Sequence, residues 1–164
     1  MTRLLAEIFR HHRWANLSIV AQCAALDEAR LEATPAGAYG SIRATLVHLA
    51  SAEARYVASV TGTPPDPAIH ERAKFPGIEA VRGSLTTTGE RLLTLAETET
   101  DDRIVTGLRG GEPFAIALSV FVTQALEHAQ EHRRQIAAAL AQLGLEPPDL
   151  SAWAFEDWNA AQKA

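Results

Sequence analysis

Three of the six histidines have positions in the sequence that could bind a metal ion together. His128 and His132 are four residues apart in a segment with helical periodicity. Their side chains therefore lie about one turn apart, roughly 40° around the helix, and can face one point. His48 lies in the apolar part of another such segment. Helical bundles build metal sites from facing helices, and three imidazoles with one open position form a catalytic zinc arrangement. The three histidines are candidate ligands, and ordinary core or surface histidines are the alternative.

Two other kinds of metal site can be compared with the sequence. A di-iron carboxylate bundle needs a glutamate three residues before a histidine, and the residues at those positions are Thr45, Pro67, Ala125 and Ala129. The segment from His128 to His132 also matches the His-x-x-Glu-His pattern of inverted zinc peptidases, in which Glu131 would be the general base. The 32 residues after His132 are expected to be too few for a peptidase domain. Glu131 is kept as a candidate catalytic base beside the metal.

The elements that must position these histidines are predicted to be four long helices. Apolar residues recur at three- and four-residue steps over about 2–28, 41–62, 78–98 and 117–143. Ser41 is a suitable N-cap for the second of these helices. Four long amphipathic helices in a chain of 164 residues predict an all-α fold, a four-helix bundle.

Two shorter segments connect the predicted helices. The alternating pattern from Ile104 to Ile116 predicts a short β-hairpin before the last long helix, and Pro113 is the residue that argues against it. Residues 61–76 are predicted to form a long connection that is not helical, because proline breaks helices. The prolines in this connection are Pro64, Pro65, Pro67 and Pro76.

Composition and charge limit the classes of function. A chain of 164 residues, 47% of them hydrophobic, is expected to form one domain over residues 1–164. Fifteen lysines and arginines against twenty acidic residues give a net charge of −5, so we expect no nucleic-acid partner. A single cysteine excludes an internal disulfide framework. The longest apolar run is too short to span a membrane, and charges near the N-terminus argue against a signal peptide, so we expect a cytoplasmic protein.

Other residues of chemically versatile types are expected to serve structure. His12 lies on the apolar face of the first helix and is expected to be a hydrogen-bonded core histidine. Cys23 should behave as a small hydrophobic residue. Arg133 and Arg134 are expected to be a solvated basic pair, and the aromatic tail over 153–158 is expected to pack onto the helices.

Three blocks of sequence carry a resemblance to a known family. They are Arg-Trp-Ala-Asn at 13–16, Gly-Ser-Ile at 40–42 with Leu-Val-His at 46–48 and then Glu53, and His-x-x-x-His-Arg-Arg-Gln-Ile at 128–136. In their order and spacing the chain resembles the DinB/YfiT-like superfamily of small metal-binding four-helix bundles. It departs from the family pattern at Arg134, where glycine is usual, and at Tyr56, where tryptophan is common.

The resemblance implies an up-down-down-up order of the helices. It also implies that His48, His128 and His132 occupy the three metal-ligand positions of the family. Characterised relatives include thiol S-transferases and isomerases that use low-molecular-weight thiols, and other members are named as metal-dependent hydrolases.

The predicted function is that of a metal-dependent enzyme with a three-histidine site, a DinB-like thiol S-transferase or hydrolase. The expected cofactor is a divalent transition metal, first Zn or Ni and then Fe or Mn, since imidazole suits several of these ions. The expected partner is a small-molecule substrate, with a low-molecular-weight thiol as one candidate, and a homodimer remains open. The alternative is a non-catalytic metal-containing bundle that binds a ligand or partner in a stress response.

Overall fold

The chain folds mostly into helices, with one small two-stranded sheet. The structure is a computed structural model that describes residues 2–64 and 69–163. Within them the elements follow one another as α1 (Thr2–Cys23), α2 (Glu28–Leu31), α3 (Ile42–Thr61), α4 (Ile78–Thr98), β1 (Ile104–Arg109), β2 (Glu112–Ala117), α5 (Leu118–Gln142) and α6 (Ala152–Ala161). No helix of this described part is long and apolar enough to cross a bilayer.

The four predicted long helices correspond to α1, α3, α4 and α5, and they contact one another. Helix α1 packs against α4, α3 packs against both α4 and α5, and α1 also touches α5. Helix α3 begins as predicted, because the Ser41 side chain accepts a hydrogen bond from the Ala44 amide. It ends at Gly62, whose φ of 72° is a conformation that glycine adopts without strain.

The first helix is shorter than predicted. Helix α1 ends at Cys23, whereas the periodicity predicted a helix to about Glu28. The reason is local, since the Asp27 side chain accepts a hydrogen bond from the Arg30 amide and starts the separate turn α2. Because an N-cap residue has an extended backbone, Asp27 interrupts the helical conformation and starts a new helix.

The predicted hairpin is present, and Pro113 lies within it. Strands β1 and β2 pair antiparallel, with Pro113 opposite Leu108. Each strand has one neighbour only, so a residue without an amide proton is tolerated there. The hairpin is attached to the helices by a buried apolar cluster made of Val60, Leu95, Val105 and Leu118.

The described part of the connection after α3 is irregular, and the aromatic tail is helical. Pro64 and Pro76 lie in described backbone that is not helical, as predicted, while Pro65 and Pro67 lie outside the described residues. The tail forms the helix α6, which the sequence analysis did not predict, and it packs on α1. Its Trp158 ring lies 6.2 Å from the ring of Trp14, which confirms the expected packing.

A buried polar network links the four long helices. The Glu53 carboxylate on α3 accepts hydrogen bonds from His12 Nε2 at 2.7 Å, Asn16 Nδ2 at 2.9 Å and the Thr88 hydroxyl. Arg133 Nη1 on α5 donates to Asn16 Oδ1 at 2.6 Å. Burial alone would raise the pKa of Glu53, but His12 and the hydrogen bonds from His12, Thr88 and Asn16 lower it below its usual value.

This network confirms one sequence expectation and corrects another. His12 is a hydrogen-bonded core histidine, as expected. Arg133 was expected to be solvated, and this is wrong, because its side chain is buried and pairs with Asn16. The next position on the helix differs, since Arg134 is exposed. Adjacent helical residues point about 100° apart, so one of two neighbouring arginines can enter the interior while the other remains in solvent.

Candidate metal centre

The rings of His48, His128 and His132 converge between α3 and α5. The Nε2 atom of His128 lies 3.0 Å from His48 Nε2 and 3.2 Å from His132 Nε2. One ligand atom from each ring lies within 4.8 Å of the other two. The helical spacing of four residues brings His128 and His132 to one face of α5, and the packing of α3 on α5 places His48 opposite them.

The convergence fits the dimensions of a bound transition metal. Two imidazole nitrogens at 2.0–2.1 Å from a tetrahedral zinc ion lie about 3.3–3.4 Å apart. The two observed separations, 3.0 and 3.2 Å, are close to this value. Without a cation, these two contacts cannot both be hydrogen bonds, because His132 Nε2 is an acceptor and the one proton that His128 Nε2 can carry serves only one neighbouring ring. The donor set therefore fits a divalent transition metal.

Two of the three ring nitrogens that face away from the centre have a neighbour that can hold the ring. His132 Nδ1 donates to Gln135 Oε1 at 2.9 Å, which leaves Nε2 as the acceptor. His48 Nδ1 lies 3.1 Å from Glu71 Oε1, close enough for an ion pair although not aligned as a hydrogen bond. Glu71 also accepts a hydrogen bond from Arg55 Nη1 at 2.8 Å. Partners of this kind fix the orientation and the tautomer of metal-binding histidines.

The electrostatic surroundings keep the rings on α5 neutral. Burial, and then the proximity of His132 and His48, lower the pKa of His128 to about 4. Burial, followed by His48, also lowers the pKa of His132, against the opposing hydrogen bond to Gln135. Only the neutral imidazole binds a metal, so these rings need no deprotonation near neutral pH.

Tyr39 covers the same site from the chain segment before α3. Its ring stacks on His48 with centroids 4.0 Å apart and meets the edge of His132 at 5.6 Å. Its backbone amide donates to Gln135 Oε1 at 3.2 Å. Tyr39 therefore contacts His48, His132 and Gln135, and the side chain of Gln135 orients the ring of His132.

A family model described as the DinB family matches residues 1–164, the whole chain. The chain belongs to the DinB family. The resemblance stated from the three sequence blocks is thereby confirmed, while comparison with curated proteins finds no match. DinB membership and the three-histidine group together are compatible with a metal-binding protein.

Glu131 precedes His132 in the sequence. Its side chain contacts Gln135, a residue that orients a histidine ring. It is exposed and accepts a hydrogen bond from Gln135 Nε2 at 3.2 Å, while the other end of Gln135 holds His132. Among the described residues of this DinB chain, the group that could hold a metal contains three histidines and no carboxylate. The role of Glu131 as a general base stays a prediction.

Sequence reasoning missed the residues that surround the ligands. Glu71 lies in the irregular connection after α3, and Tyr39 lies in the turn before it, where no periodic pattern indicates direction. Gln135 was part of the DinB-like block, but its role was not assigned. The spacing of three from His132 to Gln135 is the one signal that could have predicted their contact.

Cys23 behaves as expected for a structural residue. It is fully buried in the main apolar cluster. Burial raises the pKa of its thiol to about 12. The thiolate is the nucleophilic form of cysteine, so this side chain is inert near neutral pH.

Proposed function

We propose that this DinB-family protein binds one divalent transition metal through the Nε2 atoms of His48, His128 and His132 and acts as a metal-dependent transferase or hydrolase. The single observation that supports the proposal is the convergence of these three atoms. Zn or Ni is the metal expected first, because an all-imidazole donor set suits both. The proposal includes the up-down-down-up order of the long helices and one domain over residues 1–164.

Two of the three histidines are partly open to solvent, which a site for small molecules requires. His48 has 16% of its side chain exposed, and His128 is half-buried. When bound, the metal would lower the pKa of a coordinated water or thiol, which supplies a nucleophile at neutral pH. Tyr39 limits the approach on one side by its stacking on His48, and Gln135 and Glu71 hold the two rings that it touches.

Within this class we propose thiol S-transfer as the reaction. The thiol gives its proton to solvent water, its sulfur forms a bond to an electrophilic carbon, and the bond from that carbon to the leaving group breaks, so that the leaving group departs with the electron pair. Holding the sulfur beside the electrophile removes much of the entropic barrier of a bimolecular reaction. The buried Cys23 takes no part, so the sulfur that reacts must come from a small thiol.

The reaction is tested with metal-loaded protein and an aryl halide reporter. Glutathione, mycothiol, bacillithiol or no thiol is added, and adduct formation is followed. We expect one thiol to accelerate the reaction, with a loss of about 100-fold or more in His132→Ala and no loss in Cys23→Ala. Ester turnover without thiol that is lost in Glu131→Gln would establish hydrolysis instead. Neither activity with a fully metallated site would contradict the enzyme assignment and favour a non-catalytic bundle.

Glu71 offers a separate test of how His48 is held. In Glu71→Gln the carboxylate beside His48 Nδ1 loses its charge, and we expect the metal affinity to fall about 10- to 100-fold. Glu79→Gln is the matched control, since Glu79 is an exposed glutamate that pairs with Arg82 on α4. Competition with a coloured chelator measures both affinities. Equal affinities in the two variants would show that Glu71 does not position His48.

A further inference from the structure

A second cleft lies on the side of α5 that faces away from the metal-site histidines. It has a volume of about 530 Å³ and is bounded by α1, by α5 and by the segment that precedes α6. Its residues on α5, from Leu126 to Ala137, are centred about 160° around the helix axis from His128 and His132. His11 Nε2 donates to the Leu150 carbonyl at 2.9 Å and so ties two walls of the cleft together. The cleft is thus separate from the metal centre.

The charges that line the cleft are positive. They belong to Arg133 and Arg134, and none of the described lining residues is a carboxylate, although the chain as a whole carries a net charge of −5. Neither arginine forms an ion pair within residues 2–64 and 69–163. The nearby Glu53 carboxylate favours the charge of Arg133 without pairing with it directly, so both guanidinium groups can still bind an anion in the cleft.

Two polar side chains that line the cleft, those of Arg133 and His12, have hydrogen-bonding atoms that the described residues do not use. The Arg133 side chain is only 7% exposed and, within the described chain, donates one hydrogen bond, to Asn16. A guanidinium group has five N–H donors, so four remain, and the nitrogens without a partner are open to the cleft and not sealed in the interior. The Nδ1 atom of His12, a residue that is 1% exposed, is buried and has no hydrogen-bond partner among the described residues. Unpaired buried polar atoms are rare in native proteins and indicate a missing partner.

The rest of the lining is apolar and restricts the kind of anion. Ile8, Leu126, Ala137, Pro148 and Leu150 contribute apolar surface around the two arginines. A volume of 530 Å³ is typical of sites for small organic molecules. Inorganic phosphate would leave this surface in contact with water, whereas an acid with an apolar body would cover it. Arginine pairs with a carboxylate through two parallel hydrogen bonds.

We propose that this cleft binds a small organic carboxylate, with the acid group at Arg133 and Arg134 and an apolar body against Leu126, Ala137 and Leu150. The site is independent of the metal, since the two sets of side chains lie on opposite faces of α5. The protein would then carry two separate small-molecule sites on one helix.

The probe is 3-phenylpropanoate, and its uncharged amide, 3-phenylpropanamide, is the matched control ligand. Full-length ¹⁵N-labelled protein, treated with chelator or loaded with zinc, is titrated with each compound and with inorganic phosphate. We expect saturable shifts of the Arg133, Arg134, Ala137 and Leu150 amides with the acid, equal in both metal states. The amide should bind about tenfold more weakly or worse, because it cannot pair with the arginines.

Two substitutions of alanine by phenylalanine locate the site without altering the buried polar network around Glu53. Ala137→Phe fills the cleft and should weaken acid binding about tenfold or more, while Ala138→Phe, at an exposed position next to it, should leave binding unchanged. Circular dichroism of both variants checks the fold. Equal affinity for acid and amide, tighter binding of phosphate, an unchanged affinity in Ala137→Phe or the absence of saturable shifts would each overturn the proposal.

Discussion

Replacing Glu53 with leucine is expected to lower the free energy of unfolding by about 3–5 kcal/mol. The Glu53 carboxylate accepts hydrogen bonds from His12, Asn16 and Thr88, and it lies close enough to the buried Arg133 to favour the charge of that guanidinium. Leucine removes the acceptor and leaves these polar groups buried without it. Urea unfolding followed by circular dichroism measures the change.

Two further variants separate the network from a general effect of losing a glutamate. Glu53→Gln keeps an acceptor oxygen but loses the charge. Its free energy of unfolding should therefore lie between that of the wild type and that of Glu53→Leu. Glu90→Gln breaks an exposed pair with Arg13 and should cost less than about 1 kcal/mol. If Glu53→Leu were as stable as Glu90→Gln, the network would not support the fold.

The same carboxylate predicts how stability depends on pH. The pKa of Glu53 is lower in the folded protein than its usual value, so the folded state holds the ionised form more tightly than the unfolded chain does. This contribution is fully present above the unfolded pKa, about 4.3, and is lost as pH falls through the folded pKa. We expect the melting temperature to fall more steeply with acid in the wild type than in Glu53→Leu.

His128→Ala is expected to remove metal binding. Loss of a residue that only orients a ligand costs up to about 100-fold in affinity, and loss of a ligand itself should cost more. His128 is the central ring of the three, because its Nε2 lies close to both other Nε2 atoms. A metal that binds only the folded state stabilises it, by about 2.7 kcal/mol when its free concentration is 100 times the dissociation constant. Calorimetry should therefore show a higher melting temperature for zinc-loaded wild type and no response in His128→Ala.

His70→Ala is the control for this variant. His70 is an exposed histidine, and it does not belong to the group of converging rings. It should keep the full response to zinc. A metal response retained in His128→Ala, or lost in His70→Ala, would contradict the assignment of the three ligands.

Local patterns predicted the helices and the position of the histidines. The four-residue spacing of His128 and His132 fixes their common face, because helix geometry leaves little freedom. To place His48 near this pair, one has to assume that its helix packs on the helix that carries the pair. Periodicity alone does not predict which helices pack together. The three-block resemblance to the DinB family, matched over the whole chain, supplied what the pattern could not.

The features that were missed depend on contacts distant in sequence. Arg133 is buried because Asn16, 117 positions earlier, accepts its hydrogen bond beside Glu53. Helix α6 is stabilised by the packing of Trp158 and Phe155 on Trp14, and isolated helices of ten residues are marginal by themselves. Glu71 reaches His48 from an irregular connection, in which sequence gives no direction for a side chain.

X-ray absorption spectroscopy of the zinc-loaded protein tests the central claim most directly. If His48, His128 and His132 hold the metal, the zinc edge should show three imidazole nitrogens at about 2.0–2.1 Å. His128→Ala treated in the same way should retain little zinc, and any zinc that stays with it should show at most two imidazoles. A wild-type spectrum with fewer than three imidazoles, or one that does not change in His128→Ala, would contradict the three-histidine centre.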